Sequence, residues 1–190
     1  MNTSNRQNSR QKIINAALFL FAKYGYEKTT IRMIAQKASV SLGLMYNYFD
    51  GKDELLRAIF VNGMYDIERS FIQQNGQSAQ HLTLEAYLTQ TFTLLQKKRE
   101  FWTLFYSIRS QPAVIHLLLN ELLKWRTFIY KNLTQILKNS HLDSSSEEVS
   151  LLFASIDGIC SHYVLNPEHY PIKKVRQALL KRYKISTKCD

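Results

Sequence analysis

Glycine and proline are scarce in this 190-residue chain, six and three respectively. Their scarcity removes most of the punctuation that turn-rich sheets need and leaves long stretches in which a helix meets no breaker. Cysteine is scarcer still. Cys160 and Cys189 have neither the spacing of a metal knuckle nor the number for a disulfide framework, so a reducing, cytoplasmic setting is expected. No uninterrupted apolar run approaches the about 18 residues of a membrane-spanning helix, and no membrane partner is expected. The opening MNTSNRQNSRQK lacks the apolar segment of a secretory signal. A glycine-rich phosphate loop, a metal-ligand cluster and a nucleophile motif are missing too, and the five histidines are scattered. Neither an enzyme nor a bound cofactor is expected.

What is present is a folding composition with an uneven charge. Hydrophobic residues make up 45% of the chain, enough for a packed core. Formal net charge is +10. Residues 1–49 hold seven Lys and Arg against Glu27 alone, and residues 172–190 hold seven against Asp190 alone. Between them, eleven bases face thirteen acids. A solvated helix face accounts for either basic cluster; a polyanionic partner accounts for it equally well.

Helical periodicity runs through the chain. Ile13, Ile14, Ala17, Leu18, Leu20, Phe21 and Tyr24 predict a first helix over Ser9–Tyr24, closed by Gly25. Thr30 can cap a short second helix burying Ile31, Ile34, Ala35 and Ala38. After a tight turn at Ala38-Ser39-Val40, Ser41 can cap a third, running to about Tyr48. Val40, Met45 and Phe49 point it inward, leaving Leu42, Gly43, Leu44, Tyr46, Asn47 and Tyr48 for the other side. Asp50 can cap a long fourth helix over 51–74, followed by a linker at Asn75-Gly76-Gln77-Ser78. Helices are then expected at 81–99, 101–110, 112–139, 145–165 and 172–184. The reading is an all-α chain of about nine helices: a helix-turn-helix domain over 1–50, and a larger helical bundle over 51–190.

Four stretches carry a family resemblance. They are AAxxxFxxxGY (Ala16, Ala17, Phe21, Gly25, Tyr26), TTIRxIA from Thr29 to Ala35, VSxGxxYxYF from Val40 to Phe49, and KDELL from Lys52 to Leu56. In this order and spacing they resemble the DNA-binding domain of the TetR family of bacterial transcriptional repressors. Ser39 departs from the family's usual turn glycine, which implies strain of about 1 kcal/mol if φ is positive there. Met33 stands where an acid is common.

The resemblance implies a ligand-responsive regulator, expected to repress, binding a palindromic double-stranded operator as a homodimer. Thr29, Thr30, Arg32, Ser41, Leu42, Gly43, Leu44, Tyr46, Asn47, Tyr48 and Lys52 are its expected DNA-contacting residues. Apolar side chains can read thymine methyls and Asn47 can pair with adenine. Tyr46 and Tyr48 are similar to the family's phosphate-contacting aromatics, and Lys52 to its phosphate-binding lysine. Arg32 matches a position at which the family can place a base-reading arginine.

Beyond the linker at 75–78 the resemblance is architectural. The segment 149–165 is apolar on more than one face, which calls for two buried surfaces. With 172–184 it is expected to form the dimer interface, through Leu152, Ile156, Ile159, Tyr163, Val175 and Leu179. The aromatic density of 101–128 suggests a site for a small apolar or aromatic effector, lined by Met64, Tyr87, Trp102, Tyr106, Arg109, His116, Phe128 and Phe153. An architectural, nucleoid- or division-associated DNA-binding protein of the same fold is the alternative reading.

Overall fold

The computed structural model describes residues 3–73 and 82–183, and the expected linker at 75–78 lies outside them. Among the described residues ten α-helices follow one another and there is no strand. They are α1 (Thr3–Tyr24), α2 (Ile31–Ala38), α3 (Leu42–Tyr46), α4 (Lys52–Gln73) and α5 (Leu84–Lys97). The remainder are α6 (Arg99–Ile108), α7 (Pro112–His116), α8 (Leu119–Asn139), α9 (Ser146–Leu165) and α10 (Ile172–Arg182).

Packing divides the chain into two compact units. One comprises Met1–Tyr65 with Glu100–Glu121, the other Asp66–Arg99 with Leu122–Asp190. The division expected at residue 50 therefore differs from the packed one. The reason is aromatic: Phe60 of α4 lies 5.5 Å from Phe101 and 5.9 Å from Phe105 of α6, ring centre to ring centre. Gly63 makes that approach possible, since a Cβ there would sit 2.2 Å from Phe101 Cε2. The first unit thus holds the start of α4 and the whole aromatic run of α6.

In the first unit, α1 buries Ile13, Ile14, Ala17, Leu20 and Phe21. Gly25 ends it at φ +86°, with its N–H donating to the Phe21 carbonyl at 3.0 Å. Thr30 and Ser41 cap α2 and α3 as their positions suggest. Their hydroxyl oxygens accept from the Met33 N–H (3.2 Å) and the Leu44 N–H (3.1 Å). Glu54 reaches back to the Asp50 N–H at 2.7 Å, fastening the entry to α4.

One helix expected over 112–139 is two. The backbone tightens at Leu117 and Leu118, whose N–H groups donate to Val114 (3.2 Å) and Ile115 (3.1 Å), three residues back. The tightening lets Val114 and Leu118 both enter the core. It also frees a carbonyl, and Arg57 takes it: Nη2 donates to Leu117 O at 3.0 Å, while Nε lies 3.3 Å from Glu121 Oε1. No local signal announces the break, because its partner is 60 residues away.

The second unit is built from the end of α4 and from α5, α8, α9 and α10. Phe71 stacks on Tyr87 at 5.1 Å. Leu88, Leu95, Leu133, Ile136, Leu137, Leu152 and Leu180 are buried. Arg176 of α10 donates to Thr89 of α5 at 2.7 Å, and the Tyr183 phenol donates to Glu148 at the start of α9. Burial, then that carboxylate, pushes the Tyr183 phenol well above the usual tyrosine range, so it remains a donor.

Ser39 closes α2 at φ +56°, ψ +45°, the left-handed region in which a side chain costs about 1–2 kcal/mol. Its N–H donates to Gln36 O and the Val40 N–H to Ala35 O, so the turn is held despite the strain. Ser39→Gly should raise stability by roughly 0.5–1 kcal/mol, after allowing for glycine's greater unfolded-state freedom. For a chain of this size that is a melting temperature higher by about 2–4 °C per kcal/mol, readable by calorimetry. Ser39→Val should lower it.

Candidate nucleic-acid interface

The turn and caps just described present one face of α3 outward. Met45 and Phe49 are fully buried. Ser41, Leu42, Gly43, Tyr46 and Asn47 are exposed, and Leu44 and Tyr48 half-exposed. Leu42 and Tyr46 keep 40% and 55% of their surface, and at a spacing of four they lie side by side on the same face of the helix. Nothing within 4 Å would meet a Cβ on Gly43, so the backbone there is open to close approach. Thr30 and Arg32 are exposed at the start of α2.

Thr29 does not belong to this surface. It is fully buried, and its hydroxyl proton is shared between the carbonyls of Gly25 (2.8 Å) and Leu20 (3.2 Å). Its work is to fasten the end of α1 to the loop before α2. The expectation that it contacts DNA is corrected accordingly: a side chain with no exposed surface has none to offer.

Lys52 is half-buried at the start of α4. Its ammonium donates to the carbonyls of Tyr26 (3.1 Å) and Glu27 (3.3 Å) and lies 4.6 Å from the centre of the Tyr26 ring. The Tyr26 phenol in turn donates to Asp53 Oδ1. Burial raises the phenol pKa most, followed by the hydrogen bond to Asp53 and the charges of Asp53 and Glu27; it stays protonated far above neutrality. Tyr26 and Asp53 were absent from the expected site. The link spans 27 residues, which periodicity within a single helix does not reveal. Arg10 is another omission: α1 brings its exposed guanidinium 5.1 Å from the centre of the Phe49 ring, at the end of the α3 turn.

The expected effector residues fall into separate aromatic groups. In the first unit Trp102 stacks near Tyr106 (6.3 Å), and the Arg109 guanidinium lies 5.4 Å from the Tyr106 ring. Trp102 Nε1 is buried and has no hydrogen-bond partner among the described residues. Met64 is buried in this unit, whereas Arg109 and His116 are exposed. In the second unit Tyr87 is buried against Phe71, Phe128 stacks on Trp125 (5.6 Å), and Phe153 lies 5.3 Å from Tyr130.

Four of the six expected dimer residues need correction. Leu152, Ile156, Ile159 and Leu179 are buried by the chain itself, and Tyr163 and Val175 are half-buried. A side chain already inside one subunit's core offers little surface to a second. The other face of α9 is free: Leu151 and Leu165 are 58% and 76% exposed, and Ser155 and His162 are exposed between them. At intervals of three and four these residues form a stripe that also includes Gly158, where a Cβ would meet nothing within 4 Å. Two apolar faces were legible in the sequence; assigning each to core or surface required the packing.

Known proteins resemble the chain in both sequence and fold. The model for "Bacterial regulatory proteins, tetR family" matches residues 13–59, which hold α2, α3, Lys52 and most of α1. The uncharacterized HTH-type transcriptional regulator TtgW of Pseudomonas putida is 30% identical over 108 residues, covering 57% of this chain and 81% of that protein. The HTH-type transcriptional regulator SrpR, also of Pseudomonas putida, is 29% identical over 110 residues, 58% of this chain; the match spans about half of that relative, 52%. Among solved structures, the transcriptional regulator FadR from Bacillus subtilis in complex with stearoyl-CoA has a similar fold. Its TM-score is 0.71 at 24% identity, with 90% of this chain and 95% of that one covered. With the exposed face of α3, the caps that fix it and these matches in agreement, the chain belongs to the tetR family of bacterial regulatory proteins.

Proposed function

We propose that the chain is a transcriptional regulator that docks on a palindromic DNA operator as a two-fold dimer and leaves it when a largely apolar effector binds. The observation that carries this reading is the exposed face of α3, with Leu42 and Tyr46 in solvent opposite a fully buried Met45. That face supplies apolar groups for thymine methyls, an amide at Asn47 for adenine and backbone access at Gly43. Arg32, exposed on α2, is the candidate for reading a further base. Thr30, Ser41, Tyr48 and Lys52 are candidates for phosphate contacts, because each stands at a helix start or beside α3.

Dimerisation through the outer stripe of α9 follows from the same logic. Two-fold proteins match palindromic sites, and the stripe Leu151, Ser155, Gly158, His162 and Leu165 is a partly apolar surface that the second unit's core leaves exposed along a whole helix. For the effector, support comes from the unpartnered Trp102 indole N–H. A buried donor without a partner costs about 1–3 kcal/mol, and a ligand acceptor would remove that cost. The stearoyl-CoA held by the Bacillus subtilis FadR structure makes a long-chain acyl-CoA the first probe to try.

Selection from a random DNA library should enrich a palindromic site. Tyr46→Ala should weaken binding across sequences, whereas Arg32→Ala should relax preference at one base pair per half-site, by roughly 1–3 kcal/mol. Uniform weakening by Arg32→Ala would remove Arg32 from base reading, and indifference to Tyr46→Ala would sink the docking face. In sedimentation, Leu151→Glu should give a monomer with nearly unchanged melting temperature, because the residue is exposed within one subunit. Ile156→Glu should instead unfold the chain, since a buried unpaired charge costs several kcal/mol. A Leu151→Glu protein that remains dimeric would rule the stripe out. Trp102→Phe, which keeps a ring but removes the donor, should weaken acyl-CoA binding by roughly tenfold or less, with apo DNA affinity unchanged. Unaltered acyl-CoA affinity would exclude that hydrogen bond.

A further inference from the structure

We propose that Tyr26 and Asp53 are positioning residues for Lys52, holding its ammonium in place to meet a DNA phosphate; the proposal rests on the docking reading above. A lysine on an exposed helix start samples many rotamers, and binding must freeze them. Lys52 is already constrained. Two of its three N–H groups point to the carbonyls of Tyr26 and Glu27, and the Tyr26 ring lies beneath the charge at 4.6 Å. One N–H remains for an external acceptor, so the side chain serves a single phosphate with its direction set in advance.

The ring can act as a floor only if it is itself held. Tyr26 is 4% exposed, and its phenol is tied to Asp53, the residue after Lys52. This also accounts for an acid that otherwise sits oddly. A carboxylate beside a phosphate contact repels DNA, and its interaction with the positive end of α4 offsets that only in part. As the acceptor for Tyr26 it fixes the platform on which Lys52 rests. The loop between α1 and α2 and the first turn of α4 are thereby joined at one point, with Thr29 anchoring the same loop to α1.

The test uses the full chain and a random-sequence duplex of about three helical turns, since backbone contacts need no operator. Dissociation constants are measured over a range of KCl concentrations, with melting temperatures in parallel. Lys52→Ala should weaken binding roughly tenfold and flatten the salt dependence by about one unit of slope. Tyr26→Leu should lose the same unit of slope, and Tyr26→Leu/Lys52→Ala should bind no more weakly than Lys52→Ala alone. Tyr26→Phe keeps the ring and the core, so it covers the case in which Tyr26→Leu fails to fold; it should weaken binding several-fold. Asp53→Ala provides a test of sign. Removing a negative charge strengthens DNA binding on electrostatic grounds alone, whereas loss of positioning weakens it. Tyr26→Phe and Asp53→Ala proteins that bind as well as the parent with full salt slope would overturn the positioning role while leaving Lys52 as a phosphate contact. Additive losses in the double variant would overturn it as well. If Lys52→Ala and Tyr46→Ala both retain affinity and slope, the docking reading fails and this proposal fails with it.

Discussion

A helix of five residues has no stability of its own, because the first hydrogen-bonded turn costs more order than it returns. α3 is such a helix, and everything the protein can do with DNA depends on where it is held. Three constraints hold it. Met45 and Phe49 sink one side into the core, Ser41 satisfies the otherwise free N–H of Leu44, and the Ser39 turn fixes the angle at which the chain arrives. The outward face is what remains when those constraints are met. Leu42 and Tyr46 are exposed because their neighbours are buried, and the strain at Ser39 is tolerated because the turn's two hydrogen bonds and the burial of Met45 secure it.

The same dependence explains which parts of the structure were legible in the sequence. Caps are local chemistry: Thr30, Ser41 and Gly25 sit where their side chains, or the lack of one, solve a helix-end problem, and each is used as the sequence suggests. The inward positions Met45 and Phe49 follow from spacing alone. Properties that need a distant partner were not legible. Thr29 looks like another polar residue ahead of α2, but the carbonyls of Leu20 and Gly25 turn it inward. The break between α7 and α8 depends on an arginine from α4. Periodicity identified α9 as apolar on two faces, but it could not tell Leu151 from Leu152.

α9 also shows why apolarity alone decides little. Among the described residues it is the one helix long and apolar enough to cross a membrane by length and composition. A spanning helix must present an apolar surface to lipid all round. α9 instead alternates a buried face, Leu152, Ile156 and Ile159, with an outer stripe that mixes Leu151 and Leu165 with Ser155 and His162. That mixture is not the all-round apolar surface that lipid requires.

For an effector at Trp102 to be felt at the DNA face, it must act through α4, and the packing there leaves little slack. Trp102 follows Phe101, and the Phe101 ring occupies the space a Cβ at Gly63 would take. A side chain packed that tightly cannot absorb a push by sliding along the helix; interiors at this density respond by moving the neighbour. Gly63 lies eleven residues, about 16 Å, along α4 from Lys52, on a single continuous helix. Displacing α4 at Gly63 therefore tilts the turn that carries Lys52 and Asp53, and Tyr26 transmits the tilt to the loop ahead of α2 through bonds on both of those residues. An effector binding both arrangements equally would change nothing, however tightly it bound. Release of DNA requires that it prefer the displaced arrangement. A preference of about 1–3 kcal/mol already corresponds to a change in affinity of roughly 5–150-fold.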